Sequence, residues 1–378
     1  MYFRINPECC FIRGETCGAI YDLIDEKLYA LNQDEAKLIT SCEKNNPIQG
    51  DEKFLSELKQ KLLGNFYNNK VYVQRLRVGS LIENVLQPPE IHKAFLEINN
   101  SCERDCWFCG YHGIKRSLGC MGCNKWKENG KTLSLEGWKK VINQLSDMNC
   151  KKIFIIGGDL TLEWEKTREI LDYVKEKSIE IYVTINQKSV SDDIIEDLDG
   201  KAKLIIQTDN YNNIISDNFI YLLVTNSKNG NDLSKIQSKN VMIDNVIEKI
   251  STLSSDHPMM SKTKVSPVNL YQFWSNLEYH PCLGHTLAIC NNGNILPCPM
   301  MRDHIIGNVI DDEIYTIFKQ EWGRINKFWK LNLDKVEKCT SCEFRYTCSD
   351  CRALEESLTG KLDGKLLCNY DPKNGKWL

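Results

Sequence analysis

The sequence has no long apolar run and almost no excess of charge of either sign. In its 378 residues no stretch approaches the about 20 consecutive apolar residues that cross a bilayer. Its beginning, MYFRINPECC, lacks the apolar core of a secretion signal. The net charge of -3 gives no bulk attraction for nucleic acid or anionic lipid. These absences predict a cytoplasmic protein with neither nucleic acid nor a membrane as a partner.

Cysteine, in contrast, is abundant, with 18 residues. In a reducing cytoplasm, clustered cysteines bind metal more often than they form disulfides. Three of them lie in the run NSCERDCWFCGYHG with the spacing C-x3-C-x2-C: Cys102, Cys106 and Cys109. Three thiolates supply all but one of the ligands of a 4Fe-4S cluster, so one iron stays open to a small molecule. A structural zinc site or three reduced thiols is the alternative, although zinc sites usually pair two such elements.

This motif, with the aromatic Phe108 just before its last cysteine, resembles the signature of the radical S-adenosylmethionine (radical SAM) enzymes. The resemblance implies that the three cysteines hold a 4Fe-4S cluster that binds SAM, with Phe108 next to the cofactor. An electron from a donor such as flavodoxin or ferredoxin then cleaves SAM to methionine and a 5'-deoxyadenosyl radical. That radical abstracts a hydrogen atom from an unactivated carbon, while the protein orients the C–H bond and excludes water.

Seven further cysteines follow in an ordered series near the end of the chain. Their spacings are C-x10-G-x4-C, a gap, C-x2-C-x5-C-x2-C, a second gap and C. The series resembles the SPASM extension of radical SAM enzymes that act on peptides, except that it is one residue shorter between Cys348 and Cys351. The resemblance implies two auxiliary 4Fe-4S clusters, and so three 4Fe-4S clusters in all. By position, an outer cluster is held by Cys339, Cys342, Cys348 and Cys368, and an inner cluster by Cys282, Cys298 and Cys351.

The inner cluster of this assignment lacks a fourth thiolate. Cys290 is one candidate, although its place before an Asn-Asn-Gly turn favours a strand position. His280 or His285 is another candidate, and an open iron that binds a substrate thiolate is the third possibility. For the whole series, two structural zinc sites of the zinc-ribbon type are the alternative.

Between the two cysteine groups, short apolar runs alternate with amphipathic segments, which is the pattern of βα units around a parallel sheet. Two of the amphipathic segments are predicted helices, one capped by Ser134 and one at 166–177. The pattern and the resemblance together predict an α/β fold with a partial (β/α)6 TIM-like barrel. Its six strands are expected at 94–98, 153–156, 179–185, 204–207, 219–225 and 241–244.

The working groups of parallel barrels gather at the carboxyl ends of the strands. Gly157, Gly158 and Asp159 follow the second predicted strand and resemble the Gly-Gly-Glu motif that holds the methionine amino group of SAM, with Asp in place of Glu. Three further polar residues end the third and fourth strands, in position to reach the ribose and carboxylate of SAM: Asn186, Gln207 and Asp209. Ordinary solvated loop residues are the alternative for these three.

The first 80 residues are predicted to form a separate winged-helix-like α+β module. A hairpin is expected from 19–24 and 28–31, then a helix begun by Asn32 and Glu35, a second helix through 54–62 and a strand at 71–73. This order resembles the peptide-recognition element of ribosomal peptide modification systems, which binds an extended leader at a sheet edge. A cap on the barrel is the alternative. The expected domains are 1–82 for leader recognition, 88–265 for the radical SAM barrel and 278–378 for a loop-rich SPASM domain.

Six of the eight cysteines outside both groups form two further sets with less regular spacing. Cys120 and Cys123 form a C-x2-C pair in SLGCMGCNKW, just beyond the first motif. Such a pair can bind another metal or act as a redox pair, and spare packed thiols are the alternative. The others, Cys9, Cys10, Cys17 and Cys42, fit no standard ligand set and are expected to be reduced thiols.

These features predict an oxygen-sensitive peptide maturase. The predicted reaction installs an intramolecular thioether of the sactipeptide or ranthipeptide type in a ribosomally made precursor peptide that binds through its leader. An open inner cluster suits this product, because soft thiolates are good iron ligands. Carbon-carbon cross-linking, formylglycine formation and maturation of a peptide-derived cofactor are alternatives, although formylglycine-forming relatives place Asp where Pro299 stands. A non-catalytic iron-sulfur or zinc scaffold that binds peptides is an alternative of another class, and it predicts no cleavage of SAM.

Overall fold

The computed structural model of the chain describes residues 1–78, 90–128, 130–214, 216–226, 236, 238, 240–253, 257–260 and 265–378. In chain order, its strands are β1 (Tyr2–Ile5), β2 (Cys9–Arg13), β3 (Gly18–Asp22), β4 (Lys27–Leu31), β5 (Gly64–Tyr67), β6 (Lys93–Asn99), β7 (Lys115–Arg116), β8 (Lys152–Gly157), β9 (Glu180–Asn186), β10 (Lys203–Thr208), β11 (Ile220–Thr225), β12 (Val241–Ile247), β13 (Thr286–Ile289), β14 (Asn294–Leu296), β15 (Gly307–Asn308), β16 (Tyr370–Asp371) and β17 (Lys376–Trp377). Its helices are α1 (Gln33–Glu43), α2 (Glu52–Gln60), α3 (Leu135–Asp147), α4 (Trp164–Lys175), α5 (Asp192–Leu198), α6 (Leu270–Glu278), α7 (Ile314–Gln320), α8 (Trp322–Trp329) and α9 (Arg352–Thr359). None of these helices is long and apolar enough to cross a membrane.

The chain divides into two compact units. The first comprises Met1–Asn84, Ser254–Cys282 and Lys330–Leu378, and the second comprises Val85–Leu253 and Leu283–Trp329. The first unit contains both ends of the chain because apolar residues of β3 pack against the C-terminal segment. Tyr21 lies at the centre of this packing, and its hydroxyl donates a hydrogen bond to the carbonyl oxygen of Glu343 (2.7 Å). The division into three domains stays a prediction.

The first unit begins with the expected small α+β module. Strands β2, β3 and β4 form an antiparallel sheet in that order, and β1 pairs antiparallel with β5. The side chain of Asn32 accepts a hydrogen bond from the backbone of Glu35, whose carboxylate accepts one from the backbone of Asn32. This capping box begins α1 by satisfying backbone donors that have no partner within the helix. The predicted hairpin, capping box and first helix are confirmed.

The second helix of the module ends earlier than predicted. Helix α2 stops at Gln60, whereas the apolar pattern placed Leu62 on its buried face. Leu62 instead has a φ of 60°, in the left-handed region that commonly follows the end of a helix, and its side chain is 74% exposed. The next residue, Leu63, is the one that enters the core of the module. The pattern was therefore right about the helix and wrong about its last apolar contact.

The strand predicted at 71–73 is wrong. The strand that pairs with β1 is β5, and the rings of Phe3 and Phe66 lie edge to face at 5.3 Å. The aromatic contact and the apolar core beneath it favour this earlier segment. Val71 accepts a hydrogen bond from the side chain of Asn45 (3.0 Å) at its carbonyl oxygen, and Tyr72 is almost fully exposed.

A single large sheet forms the centre of the second unit. Its strand order is β15-β14-β13-β6-β8-β9-β10-β11-β12-β7. Each neighbouring pair from β6 to β12 is parallel, as is the pair of β13 and β6, whereas β14, β15 and β7 are antiparallel to their neighbours. Apolar residues from successive strands pack together, among them Phe95, Phe154, Ile205 and Leu222. The six predicted barrel strands and the α/β class are confirmed.

Helices α3, α4 and α5 of this unit connect parallel strands, as in βα units. Ser134 begins α3 by accepting a hydrogen bond from the backbone nitrogen of Gly137 (3.1 Å), as predicted. Helix α4 runs from β8 to β9 and lies two residues earlier than the predicted range 166–177. Because the strands are parallel, β6, β8, β9 and β10 all end at the same edge of the sheet. The loop with the first three cysteines begins at that edge.

Candidate active site

The loop that follows β6 brings Cys102, Cys106 and Cys109 together. Burial raises the pKa of the Cys106 thiol, and the charges of Cys102 and Cys109 raise it further, so the three sulfur atoms are neighbours. The sulfur of Cys109 accepts a hydrogen bond from the backbone nitrogen of Lys125 (3.5 Å). Three thiols on one loop are a donor set that fits a 4Fe-4S cluster with one iron left for another ligand.

The glycine pair after β8 allows this loop to lie directly against the end of the strand. Gly157 has a φ of 150°, and a Cβ atom there would lie 2.6 Å from the carbonyl oxygen of Asn99. A Cβ atom on Gly158 would clash with the carbonyl group of Ser101. The backbone nitrogens of Gly158 and Asp159 donate hydrogen bonds to the Asn99 side chain (2.9 Å) and the Ser101 carbonyl (2.7 Å). Both glycines are therefore needed to seat the first turn of the cysteine loop.

Asp159 binds the cysteine loop through its side chain. Its carboxylate forms an ion pair with Arg104, which belongs to the loop, and accepts hydrogen bonds from the hydroxyls of Thr161 (2.7 Å) and Ser189 (3.0 Å). Burial acts to raise the pKa of Asp159, but the hydrogen bonds from Thr161 and the charge of Arg104 outweigh it and hold the pKa below its ordinary value. The carboxylate is thus charged at neutral pH and fixes the loop to the end of β8.

Other predicted site residues also contact the loop. The side-chain nitrogen of Asn186 lies 3.9 Å from the sulfur of Cys106. Asp209 accepts a hydrogen bond from the indole nitrogen of Trp107 (2.9 Å). Phe108 is buried in an apolar cluster with residues of β11 and β12. The structure therefore brings these predicted residues around one loop, and their contacts with SAM stay predictions.

Four cysteines of the later series form a second group, in the first unit. Burial raises the pKa of Cys339 to about 12, and the charges of Cys348 and Cys368 add to this effect while Lys365 opposes it. Burial likewise raises the pKa of Cys342, with Cys339 and Cys348 among the charges that contribute. The four thiols that the resemblance to SPASM domains assigned to the outer cluster are therefore neighbours. Four thiols are a complete ligand set for a closed 4Fe-4S cluster.

Two family models match the chain over these regions. The radical SAM superfamily model matches residues 96–209, and the model of the SPASM iron-sulfur cluster-binding domain matches residues 282–343. The chain therefore contains a radical SAM domain and a SPASM domain.

Solved structures of SuiB from Streptococcus suis are similar to this chain. SuiB bound to S-adenosylmethionine is 13% identical, with a TM-score of 0.43, and the match covers 93% of this chain and 96% of that chain. SuiB bound to the precursor peptide SuiA has the same identity and coverage and a TM-score of 0.47. A third structure of SuiB is 14% identical over 98% of this chain and 97% of that chain, with a TM-score of 0.45. Comparison with curated proteins gives no significant match.

The second unit also contains a buried charge pair that sequence analysis did not find. The guanidinium of Arg116 and the carboxylate of Asp244 lie 2.6 Å apart, and both side chains are fully buried. Arg116 also donates hydrogen bonds to Gln207 (3.0 Å) and Asn124 (3.2 Å), and Gln207 accepts one from the backbone nitrogen of Cys123 (3.0 Å). Gln207 thus holds the segment that follows the cysteine loop. Asp244 ends the strand predicted at 241–244, just as Gln207 ends the strand predicted at 204–207, although β12 continues to Ile247. No local signal distinguished Arg116.

A second buried charge network supports the SPASM cysteines. The Lys365 ammonium lies 2.6 Å from Asp350 and 2.8 Å from Glu355, and Arg352 also pairs with Asp350. Glu355 accepts a hydrogen bond from the backbone nitrogen of Leu366 (2.7 Å), in the segment that leads to the last cysteine. Charged groups are rarely buried unless they are paired, and here they fix the loops that carry the thiols.

Among the described residues, no three His, Cys, Asp or Glu side chains converge as the ligands of a single metal ion do. A 4Fe-4S cluster binds each thiolate through a different iron, so its ligands need not meet at one point. The remaining SPASM cysteines are Cys282, Cys298 and Cys351. Cys351 directly precedes α9, and the backbone nitrogen of Cys282 donates a hydrogen bond to Nδ1 of His280 (3.0 Å).

Proposed function

We propose that this enzyme modifies a ribosomally made precursor peptide and installs a thioether cross-link. The observation that supports this proposal most directly is the loop with three neighbouring thiols at the carboxyl edge of a parallel sheet. When bound, a 4Fe-4S cluster with SAM supplies the 5'-deoxyadenosyl radical that abstracts a hydrogen atom. A flavodoxin or ferredoxin in the cytoplasm is the proposed electron donor.

The residues around the loop hold and orient the reacting groups. Cys102, Cys106 and Cys109 would bind the cluster, and the ion pair of Arg104 with Asp159 keeps their loop against the sheet. These contacts come from the ends of rigid strands rather than from other loops, which favours accurate positioning of a target C–H bond.

The SPASM cysteines support an oxidative product. A thioether cross-link removes two hydrogens from the peptide: one leaves as the abstracted hydrogen atom, and the other leaves as the proton of the thiol together with one electron. The thiols of Cys339, Cys342, Cys348 and Cys368 would hold one cluster able to accept electrons, with Cys282, Cys298 and Cys351 assigned to another. An acceptor of this kind suits formation of a carbon–sulfur bond from a cysteine of the peptide.

The N-terminal module supports a peptide substrate. In its three-stranded sheet β3 is central, so β4 lies at an edge with one side unpaired within that sheet. Unpaired strand edges bind extended peptides through backbone hydrogen bonds. Within β4, the side chains of Lys27 and Ala30 are exposed to solvent. We propose that the leader of the precursor adds to β4 as a further strand.

Adding a leader peptide to the full-length protein is expected to slow amide hydrogen exchange in β4, because the leader would bond its free edge. Exchange would be followed by mass spectrometry with saturating leader and with a scrambled leader of the same composition. Helix α2, in the same module, serves as the internal reference and should not change. Unchanged exchange in β4 with bound leader, or equal slowing in α2, would contradict binding at this edge.

The activity itself is tested by incubating the reconstituted, reduced enzyme with candidate peptides encoded next to its gene. A thioether predicts a loss of two hydrogens by mass spectrometry, with a cysteine of the product that no longer reacts with iodoacetamide. If the peptide loses two hydrogens but its cysteines still alkylate, the product is another cross-link. If no peptide is modified and no 5'-deoxyadenosine forms, the chain is a scaffold rather than an enzyme.

A further inference from the structure

A polar cavity of about 410 Å³ lies in the second unit, next to the start of the cysteine loop. Its lining comes from the end of β6, the segment before α3, the start of α4 and the turn after β13. Strands β6 and β13 are parallel neighbours, so both end at the edge of the sheet where the cysteine loop begins. Ser101, in the lining, directly precedes Cys102. The volume is within the range of about 300–1,000 Å³ that is usual for ligand pockets.

The lining of this cavity is rich in side-chain amides. Four asparagines border it: Asn99, Asn100, Asn291 and Asn292. An asparagine side chain combines an NH₂ donor with a carbonyl acceptor. The main chain of a peptide presents the same two kinds of group, one N–H and one C=O for each residue other than proline. The lining is therefore chemically matched to a peptide backbone.

The charged side chains at the cavity are already paired. Nζ of Lys166 lies 2.9 Å from the carboxylate of Glu163. The carboxylate of Glu128 accepts a hydrogen bond from the guanidinium of Arg302 (2.6 Å). Opposite charges side by side largely cancel each other at a third group, so neither pair attracts an ion strongly. The lining suits an uncharged polar ligand better than a phosphate, a carboxylate or a cation.

One of the four amides is buried and has no partner. Asn291 is only 8% exposed, and its side chain makes no hydrogen bond within the described part of the chain. Its backbone is held in place, since its carbonyl oxygen accepts a hydrogen bond from the backbone nitrogen of Leu133 (2.7 Å). Buried polar groups nearly always have a hydrogen-bond partner, because an unmade bond is costly. The amide of Asn291 is therefore available to a ligand in the cavity.

Asn100 shows how an amide in this cavity binds a peptide chain. Its side-chain oxygen accepts a hydrogen bond from the backbone nitrogen of Trp126 (2.7 Å), and its side-chain nitrogen donates one to the carbonyl oxygen of Trp126 (3.0 Å). One amide thus satisfies both main-chain groups of a residue. An extended peptide offers the same pair of groups, because the N–H and C=O of one residue point to the same side of a strand. The amide of Asn291 can bind an extended segment in this way.

The walls of the cavity are braced by buried contacts. A Cβ atom on Gly130 would lie 3.1 Å from Cβ of Asn292, so the segment before α3 touches the turn after β13. Arg302 donates a hydrogen bond to Glu97 of β6 (2.9 Å), and its guanidinium lies over the ring of Trp126 at 4.7 Å. A site that is formed before its ligand arrives loses little conformational freedom on binding.

We propose that this cavity binds the core segment of the precursor peptide, the part that follows the leader and receives the cross-link. The segment binds in an extended conformation through its uncharged main chain, which Asn291 contacts. This inference rests on the proposed function, and it names a second binding site for the same peptide, in the other unit from β4. A core segment bound here lies beside Ser101 and so next to the loop of the three motif cysteines. Holding the target close to the reacting centre is a large part of catalysis.

The test measures binding of two labelled peptides to the full-length, reconstituted protein by fluorescence anisotropy: the precursor encoded next to the gene, and its leader alone. The unmodified protein should bind the precursor more tightly than the leader. Asn291→Ala is expected to weaken binding of the precursor by about 3–10-fold, the effect of one or two lost hydrogen bonds, and to leave binding of the leader unchanged. Asn291→Leu keeps a similar volume and should have the same effect, which separates loss of the amide from widening of the cavity.

The matched control is Asn294→Ala. Asn294 belongs to β14, on the same hairpin as Asn291, and lies outside the lining of the cavity. This variant should bind both peptides as the unmodified protein does. Iron content and formation of 5'-deoxyadenosine without peptide are measured for every variant, and both should stay unchanged, because Asn291 is proposed to contact only the peptide.

Three results would overturn this site. Unchanged affinity of both Asn291 variants for the precursor would mean that the amide binds only water. Loss of peptide-free SAM cleavage in Asn291→Ala, with iron retained, would assign the cavity to SAM. An equal loss of affinity in Asn294→Ala would show that the hairpin matters and the amide does not. In all three cases the proposed function stands if the unmodified protein still modifies the precursor. If the unmodified protein neither binds nor modifies it, the proposed function fails, and this site fails with it.

Discussion

Replacing Cys106 with alanine is expected to abolish reductive cleavage of SAM. Cys106 is the middle cysteine of the radical SAM motif, and its sulfur neighbours both other thiols and the side chain of Asn186. The variant keeps only two thiolates for a cluster that needs three from the protein. Changes in the outer shell of a metal site already cost about 10–100-fold, so loss of a direct ligand should lower the rate by at least about 100-fold. The measurement is 5'-deoxyadenosine formed by the reduced, reconstituted protein, and no peptide is needed.

The matched control for this prediction is Cys17→Ser. Cys17 lies in the first unit, between β2 and β3, and belongs to neither cysteine group. Its replacement should leave the formation of 5'-deoxyadenosine within twofold of the unmodified protein. A Cys106→Ala variant that still cleaves SAM at the control rate would remove the basis of the proposed mechanism.

The parallel strands were the most predictable part of the fold. Strands such as β8 and β10 are buried on both faces, so their sequences are short, continuous apolar runs that stand out between amphipathic helices. The cap of α1 was equally readable, because Asn32 and Glu35 interact within one turn of chain. Signals of both kinds lie within a few residues of the element that they specify.

The errors occurred where distant partners decide the structure. Strand β5 is formed by its pairing with β1, about 60 residues earlier in the chain, and its own sequence GNFY is a weaker strand signal than VYV at 71–73. Leu62 continues the apolar spacing of α2, but the chain must turn there to bring β5 to β1. Tertiary packing outweighed local propensity in both cases.

The sequence predicted the cysteine ligands of the site well. It predicted less well the contacts that hold the cysteine loop in position. Regular spacing identified the cysteines, and the position of Asp159 after a strand singled it out. That Asp159 pairs with Arg104, and Asp209 with Trp107, follows only when the two strand ends and the cysteine loop are assembled. Residues proposed to contact SAM thus also position the loop that would hold the cluster.

In both domains, buried ion pairs lie next to the loops that carry the cysteines. Arg116 and Asp244 lie beneath the radical SAM loop, and Lys365 with Asp350 and Glu355 lies beside the outer SPASM cysteines. Loops rich in cysteine have little apolar surface to bury, so hydrogen bonds from paired charges are an alternative way to fix the backbone. The position of each cysteine loop therefore depends on both the positive and the negative charges of the ion pairs next to it.

Replacing Asp244 with asparagine is therefore expected to destabilise the protein strongly. The side chain of Arg116 is fully buried, and without Asp244 its positive charge has no neutralising partner at 2.6 Å. Removal of one member of a buried ion pair costs about 3–5 kcal/mol, because the remaining charge stays out of water. The free energy of unfolding would be measured by urea denaturation of the cluster-free protein, with iron retention of the reconstituted variant as a second readout. Both should fall, since Arg116 also holds Gln207 and Asn124 below the cysteine loop.

The matched control is Asp172→Asn, which breaks an ion pair of the same unit on the protein surface. Asp172 lies 2.8 Å from Lys201, but its side chain is 51% exposed. Exposed pairs contribute at most about 1 kcal/mol, because water screens the charges in the folded protein and solvates them when the pair is broken. A double variant with Arg116→Met and Asp244→Asn should be less destabilised than the sum of its two single variants, because no unpaired charge is left buried. Equal losses for Asp244→Asn and Asp172→Asn would show that burial of the Arg116 charge does not determine the stability of this loop.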